Sequence, residues 1–354
     1  MPEMILTGSR QAWWEITLLD SADRIIGPLR GVTGGNITLS ANTRLKGSGT
    51  LSIQDTGQPV NWVNDRVSIV YRARDHRGRT MDWSAGVFLM SAPTASHTSA
   101  GTSRDVELSS KLAVLDEDCL NASLTLPAGR SVTTSVKTLI LSTGEDRVSI
   151  TPSDQTLSSS MVWEAGTPVL TVVNDLLDSI NYFSLRPDGD GVLTAAPYVR
   201  PAARPVAWAF TAGEAAIHSA DWSRDQDTAA VPNRIVLVGQ GGGDTPALVA
   251  TAENTDPSSP FSRESRGRWI THTETGVEAS TQAVLDGIAR RRLIDLSTPT
   301  ATIQAAHLPL PLAPNDRVSW DTGGHAVTAT IQEIKTTLDA TSLCATKLRE
   351  VVDL

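Results

Sequence analysis

Asn64-Asp65-Arg66-Val67-Ser68-Ile69 and Asn315-Asp316-Arg317-Val318-Ser319-Trp320 are two versions of one phrase, set toward the two ends of the chain. In each, the Asn-Asp pair supplies a turn, and the run that follows alternates apolar with polar side chains, the period of a half-buried strand. After the first copy come a charged turn, Asp75-His76-Arg77-Gly78-Arg79, and a return strand over 83–91. After the second come Asp321-Thr322-Gly323-Gly324 and a return strand over 327–334. The pattern predicts one strand-turn-strand unit in each of two related β domains, opened at Asn64 and at Asn315. A third copy, Asp146-Arg147-Val148-Ser149-Ile150, runs into Pro152 and the polar Ser153-Asp154-Gln155, so it lacks the continuation and reads as a chance recurrence.

Outward from the first copy, Trp14, Ile16 and Leu18 alternate with Glu15 and Thr17 before a turn at 20–23. Further strands are expected over 36–40, 50–53, 67–73 and 103–108, which makes residues 10–110 a hairpin-rich β domain. Residues 111–204 read as a mixed helical and β region. Leu112 and Leu115 begin helical spacing, and after Pro168 the residues Val169, Leu170, Val173, Leu176, Leu177 and Ile180 fall on one stripe of period 3.6. Asn174, Asp175 and Asp178 occupy its polar side, and a turn at 186–191 joins expected strands over 182–185 and 192–195. Residues 205–351 form a second β domain with strands over 235–238, 247–252, 300–305, 317–320, 327–334 and 340–351. A helix over 279–295, carrying Val284, Leu285, Ile288, Ala289, Leu293 and Leu296, interrupts it and leaves room for a small inserted β subdomain. The fold class is mainly β with flanking helices (α+β).

The chain of 354 residues is 40% apolar with 26 glycines and 19 prolines, which suits two or three domains with cores of their own and many turns. A formal net charge of -9 argues against gripping a phosphate backbone, but it is compatible with DNA passing an acidic wall that repels it. Arg290, Arg291 and Arg292 fan around a helix one turn after Asp286 and read as a solvated face. Cys119 and Cys344 are too few for a disulfide scaffold and read as buried thiols. The N-terminus lacks the basic-then-apolar pattern of a signal peptide, and no stretch has the apolar length of a membrane span. A soluble product without stable membrane insertion is expected.

Motifs for phosphate loops, dinucleotide binding, nucleophile elbows, zinc pairs and CxxC chemistry are missing from the sequence. The six histidines are scattered, Asp188-Gly189-Asp190 reads as a hairpin turn, and Asp116-Glu117-Asp118 as a solvated cluster whose neighbouring side chains diverge. Gly241-Gly242-Gly243 reads as a polar loop. Nine tryptophans, dispersed along the chain, suit cores and subunit contacts better than a carbohydrate platform. No catalytic, cofactor-binding or metal-ligating residue is assigned, and no enzymatic activity is expected.

The order of elements resembles the baseplate hub proteins of long-tailed bacteriophages and the related minor tail proteins of phages infecting Gram-positive bacteria. The residues that carry the resemblance are the strand-rich opening, the helix with Pro168, Leu176-Leu177 and Ile180-Asn181-Tyr182, Asn233-Arg234-Ile235-Val236-Leu237, Ser262-Arg263-Glu264-Ser265-Arg266-Gly267-Arg268-Trp269, the helix with Ala289, and the closing Asn315-Asp316-Arg317-Val318. The resemblance implies a virion structural protein of the tail tip, synthesised in the host cytoplasm, with two tail-tube-like β domains. It implies a homotrimeric ring of pseudo-sixfold symmetry, joined to the distal tail protein or tail tube, to the tape measure protein and to receptor-binding or tip proteins. DNA would pass its channel without specific binding. A carbohydrate- or receptor-binding tail module is the alternative.

Overall fold

Val67, Ile69, Tyr71 and Ala73, alternate residues of Arg66–Asp75, are all fully buried, so a slip of one residue would turn the whole set outward. The register they impose organises the first half of the chain. The computed structural model describes residues 6–91, 93–99, 101–214, 216–226, 231–239, 247–279, 281–297 and 301–351. Eight strands form the first lobe: β1 (Arg10–Leu19), β2 (Ile25–Pro28), β3 (Val32–Ser40), β4 (Gly47–Gln54), β5 (Arg66–Asp75), β6 (Thr80–Met90), β7 (Thr94–Thr98) and β8 (Gly101–Ser110). They run in the order β2-β1-β5-β6-β8-β4-β3, with β7 on β8. Leu18, Ile37, Leu51, Ile69, Phe88, Val106 and Leu108 meet on the inner face. Each such side chain contributes about 1.5–3 kcal/mol on burial, which is what holds the sheet curled on itself.

The helical region follows as α1 (Leu112–Glu117), β9 (Leu124–Leu126), α2 (Val132–Ser142), β10 (Val148–Ile150), β11 (Met161–Trp163), α3 (Val169–Asp178), β12 (Arg186–Pro187) and β13 (Leu193–Ala195). The stripe expected on α3 is buried in full, against Val132, Val136 and Ile140 of α2. Pro168 is the cap residue of α3 and lies outside its first turn. The strand expected over 182–185 is reduced to a single antiparallel bridge, Tyr182 with Pro197: the Asn174 side chain accepts the Leu185 amide at 2.9 Å, and the next ladder starts at Arg186. Asp175 accepts the indole N–H of Trp163 at 2.8 Å.

Beyond a short 3-10 turn at Pro201–Ala203 come β14 (Val206–Thr211) and β15 (His218–Gln226). An excursion then builds β16 (Arg234–Gly239), β17 (Val249–Glu253), α4 (Arg263–Arg266), β18 (Thr271–Val277) and α5 (Gln282–Ser297). Its three strands form a sheet of their own, β17-β16-β18, on which Leu285, Ile288, Ala289 and Leu293 of α5 pack. Leu296, expected on that apolar stripe, is exposed instead, because the buried face ends at Ile294. The loop at Gly241-Gly242-Gly243 lies outside the described residues. The chain returns through β19 (Ala301–His307), β20 (Arg317–Thr322), β21 (His325–Thr337) and β22 (Cys344–Glu350). With β14 and β15 these make the second lobe, in the order β14-β20-β21-β22-β19-β15.

The two lobes share a strand. β22 pairs with β21 over 329–335, which occupies one edge, so β20 (pairing over 325–330) and β3 (pairing over 333–337) lie end to end on the other. At 13 residues β21 spans roughly 40 Å, long enough to carry both partners. The Asn42 amide donates to the Gln332 side chain at 2.9 Å across this splice, and the Ala41 amide to the Gln332 carbonyl at 2.8 Å. The result is one 14-stranded sheet among the described residues.

Candidate functional site

Arg66 opens β5 with its guanidinium turned away from water. It donates to Asp23 at 2.8 Å and to Glu145 at 2.5 Å, and the Lys111 ammonium lies 2.6 and 2.7 Å from the same two carboxylates. Arg147 approaches Asp23 from the rim at 3.4 Å. The Lys111 side chain is 0% exposed and that of Asp23 2%, so bulk water solvates neither charge. A lone buried ion costs several kcal/mol; alternating two cations with two anions offsets most of that. The Gly191 carbonyl accepts a further Lys111 hydrogen at 3.0 Å. Gly191 has φ +78°, and a Cβ there would sit 2.8 Å from Val87, so glycine is required at this contact.

Burial alone would raise the Asp23 carboxyl pKa, but hydrogen bonds and charge from Lys111 and Arg66 outweigh it and hold the group below its ordinary value. Burial would likewise lower that of Arg66, and the Asp23 and Glu145 carboxylates push it up instead. Asp23 belongs to the β1–β2 turn, Lys111 to the exit of β8, and Glu145 to the chain leaving α2. The cluster therefore fastens the first lobe to the helical region.

Arg317 occupies the matching position at the head of β20 and does the same job with different partners. It donates to the carbonyls of Ala202 at 2.7 Å and Arg204 at 3.0 Å, fastening the second lobe to the segment that leaves the helical region. Both Asp residues before these arginines accept a turn amide: Asp65 that of Asn61 at 2.8 Å, Asp316 that of Ala313 at 2.8 Å. Asn315 has φ +74°, a conformation asparagine tolerates well. The third copy of the motif becomes β10, three residues paired in parallel with β13 and without a hairpin. Its flanking Glu145 and its Arg147 nevertheless complete the Arg66 cluster, a role the sequence reading missed because nothing local signals a bond between residues 79 apart.

Among the described residues no group of three or more His, Cys, Asp or Glu could hold a metal. Asp116 pairs with Arg44 while Glu117 and Asp118 are exposed, and the Asp188 carboxylate accepts the amides of Asp190 and Val192 inside a hairpin turn. Cys344 is buried as expected, but Cys119 is exposed, since it follows the end of α1. Of Arg290, Arg291 and Arg292, Arg290 keeps the solvated position expected of all three. Arg291 donates to the Tyr182 carbonyl at 2.8 Å and Arg292 reaches Glu274 at 3.2 Å, because the helical region and β18 pack against that side of α5. Of the nine tryptophans, Trp13 is the exposed one. Trp14, Tyr71 and Trp83 stack in the first lobe with centroids 5.0 and 4.3 Å apart; Phe210, Trp222 and Trp320 cluster in the second at 5.5 and 5.6 Å.

The fold of this chain is similar to that of solved tail proteins, two of them from prophages. The tail protein from Neisseria meningitidis MC58 matches it, with a TM-score of 0.68 at 13% identity over 96% of this chain and 97% of that one. So does the 43 kDa tail protein of prophage MuSo2 from Shewanella oneidensis, at 0.63 and 14% over 94% and 98%. The prophage tail protein gp18 from Listeria monocytogenes EGD-e follows at 0.58 and 15% over 95% and 94%. No family model matches the sequence, and no curated protein matches it.

Proposed function

We propose that this chain is a structural hub protein of a phage-type tail tip, three copies of which close into a ring that joins the tail tube or distal tail ring to the tip. The observation that carries the reading is fold likeness over almost the whole length of three tail proteins, 97%, 98% and 94% of each. Two lobes opened by equivalent hairpins, repeated in three copies, would offer six similar edges to a hexameric neighbour, and closed symmetric assembly is the ordinary way to use such edges. The domains are residues 10–110, 111–204 and 205–351, the third carrying the inserted sheet. The partners are a distal tail or tube protein, the tape measure protein and receptor-binding or tip proteins. The place is the virion tail tip, after synthesis in the host cytoplasm. With a net charge of -9 the lumen repels DNA and lets it slide without specific binding. The work is done by assembly, with no bond-making residue.

The carbohydrate-binding alternative needs a platform of exposed rings, and the packing of the tryptophans speaks against it. Light scattering on the purified chain, followed by imaging of negatively stained particles, tests the reading. A species of three times the 37.7 kDa chain mass with a central hole is the expected result. A monomer that stays monomeric in the presence of its tube or distal-tail neighbour would overturn it.

A further inference from the structure

Between the two lobes and the helical region lies a cavity of about 410 Å³ whose wall carries five cationic side chains, Lys46, Arg186, Arg204, Arg291 and Arg349. We propose that it is a binding site for a small multivalent oxyanion of the phosphate class. Its volume falls in the range of about 300–1,000 Å³ usual for small-ligand sites.

Four of these five charges are not balanced by the protein, while Arg291 pairs with Asp178 at 3.4 Å. Lys46 donates to the Ala41 carbonyl at 2.6 Å and Arg186 to that of Pro314 at 3.2 Å. Arg204 donates to the carbonyls of Val199 at 2.9 Å and Asn315 at 2.8 Å, and Arg349 to that of Asp295. Carbonyls satisfy hydrogens without cancelling charge, and among the described residues none of these four cations forms a salt bridge. Three carboxylates share the wall. Glu350 is already held by Arg224 at 2.6 Å and His325 at 2.8 Å, and Asp188 by its two turn amides. Asp295 stands 3.8 Å from the Nε of Arg291, and burial pushes its carboxyl pKa up in spite of the arginines around it.

Two polar atoms of the same wall are buried without any hydrogen-bond partner, the Tyr198 hydroxyl and the Nε of Arg291. The guanidinium carbons of Arg204 and Arg291 stand 5.8 and 4.8 Å from the centre of the Tyr198 ring. A buried hydroxyl without a hydrogen-bond partner, beside four cations that form no salt bridge among the described residues, offers the donors an oxyanion takes, and arginine forks suit phosphate geometry in particular.

The test uses the full chain at fixed ionic strength, titrated with inorganic phosphate, pyrophosphate and tripolyphosphate against sodium chloride, and read by thermal unfolding and calorimetry. The expected result is one site per chain and a rise in Tm of about 3 °C or more with tripolyphosphate, growing with the charge of the anion. Glucose 6-phosphate, run alongside, separates a phosphate-ester source from free phosphate by which binds more tightly. Arg204→Gln and Arg186→Gln should each weaken binding about 10-fold. Arg186 makes one backbone hydrogen bond and is exposed on its outer side, so Arg186→Gln keeps the test open should Arg204→Gln fail to fold. No rise beyond the chloride control, or an equal rise in Arg186→Gln, overturns the proposal.

Discussion

The hairpins β5–β6 and β20–β21 start from nearly the same residues and end in different surroundings. Both begin with an Asp that caps a turn, an Arg that reaches out of its own sheet, a fully buried Val and a buried residue two places on, Ile69 or Trp320. Both fold back antiparallel on the next strand. On its other flank β5 pairs antiparallel with β1, whereas β20 pairs in parallel with β14, a strand that arrives from the helical region. The local phrase thus sets strand entry and register, and the neighbours are set by what the rest of the chain delivers. Arginine shows the same division: Arg66 meets two carboxylates in the dark, and Arg317 meets two carbonyls.

The sharpest way to break this comparison is to remove the two arginines. Arg66→Ala leaves Asp23 and Glu145 buried with Lys111 as their remaining buried cation, and truncating one partner of such a network costs about 3–5 kcal/mol. Chemical denaturation of the purified variant measures it. A cost under 1 kcal/mol would mean that water enters the joint freely. Charge reversal within the cluster is expected to do no better, since the geometry is built around a forked donor.

Acid separates the lobes by pH window. His307, at the end of β19, is buried, and desolvation lowers its pKa to about 4, with a smaller push in the same direction from His218 and an opposing one from the Leu308 carbonyl. A depressed histidine is neutral in the fold, so its site is fully stable above the ordinary 6.5 and loses stability as pH falls toward 4, where the unfolded chain takes up the proton. The loss amounts to about 3 kcal/mol, and His307→Gln should flatten it. Asp23 behaves in the next window down: its stabilisation is complete above the unfolded value of 3.8 and disappears as pH falls through the lower folded value. Unfolding followed from pH 7 to pH 2 should show the second lobe weakening first. A single loss confined below pH 4 would remove His307 from the account.

Arg317→Ala sits lower on the scale. Its guanidinium leaves behind the Ala202 and Arg204 carbonyls, which water can reach more readily than it reaches Asp23, so about 1–2 kcal/mol is expected in the same denaturation experiment. If Arg317→Ala proves as costly as Arg66→Ala, the two joints are equivalent and the carboxylates around Arg66 add nothing.

What the sequence disclosed follows the reach of each interaction. Alternation at Val67, Ile69 and Tyr71, the α3 stripe and the turn at Gly323-Gly324 are local, and each was legible from residue spacing. The shared strand was not, because β21 simply continues past β20 and its pairing with β3 is decided by the curl of the whole sheet. Nor was the charge cluster legible: Glu145 sits in a segment whose own motif leads nowhere, and its value comes from Arg66 and Lys111. The cationic cavity is the extreme case, with its five charges drawn from loops, the short strand β12, a helix and the last strand.

The smallest effect tests the turns themselves. Asp65 and Asp316 each accept one backbone amide at 2.8 Å, and replacing either by Ala should cost about 1 kcal/mol, the net value of one hydrogen bond. Asparagine divides the charge from the hydrogen bond. Burial pushes the Asp316 carboxyl pKa up, against the Ala313 amide and the nearby Arg186 and Arg204, so its ionised form is penalised in the fold. The sign follows from linkage: a carboxyl raised in the folded state costs stability as pH climbs through 3.8 and beyond. Asp316→Asn keeps the acceptor and loses that cost, so at neutral pH it should match or exceed the parent in stability, while Asp316→Ala falls below it. If asparagine and alanine are equally destabilising in thermal unfolding at pH 7, the negative charge itself holds the turn, and Arg186 and Arg204 count for more at this hairpin than the amide does.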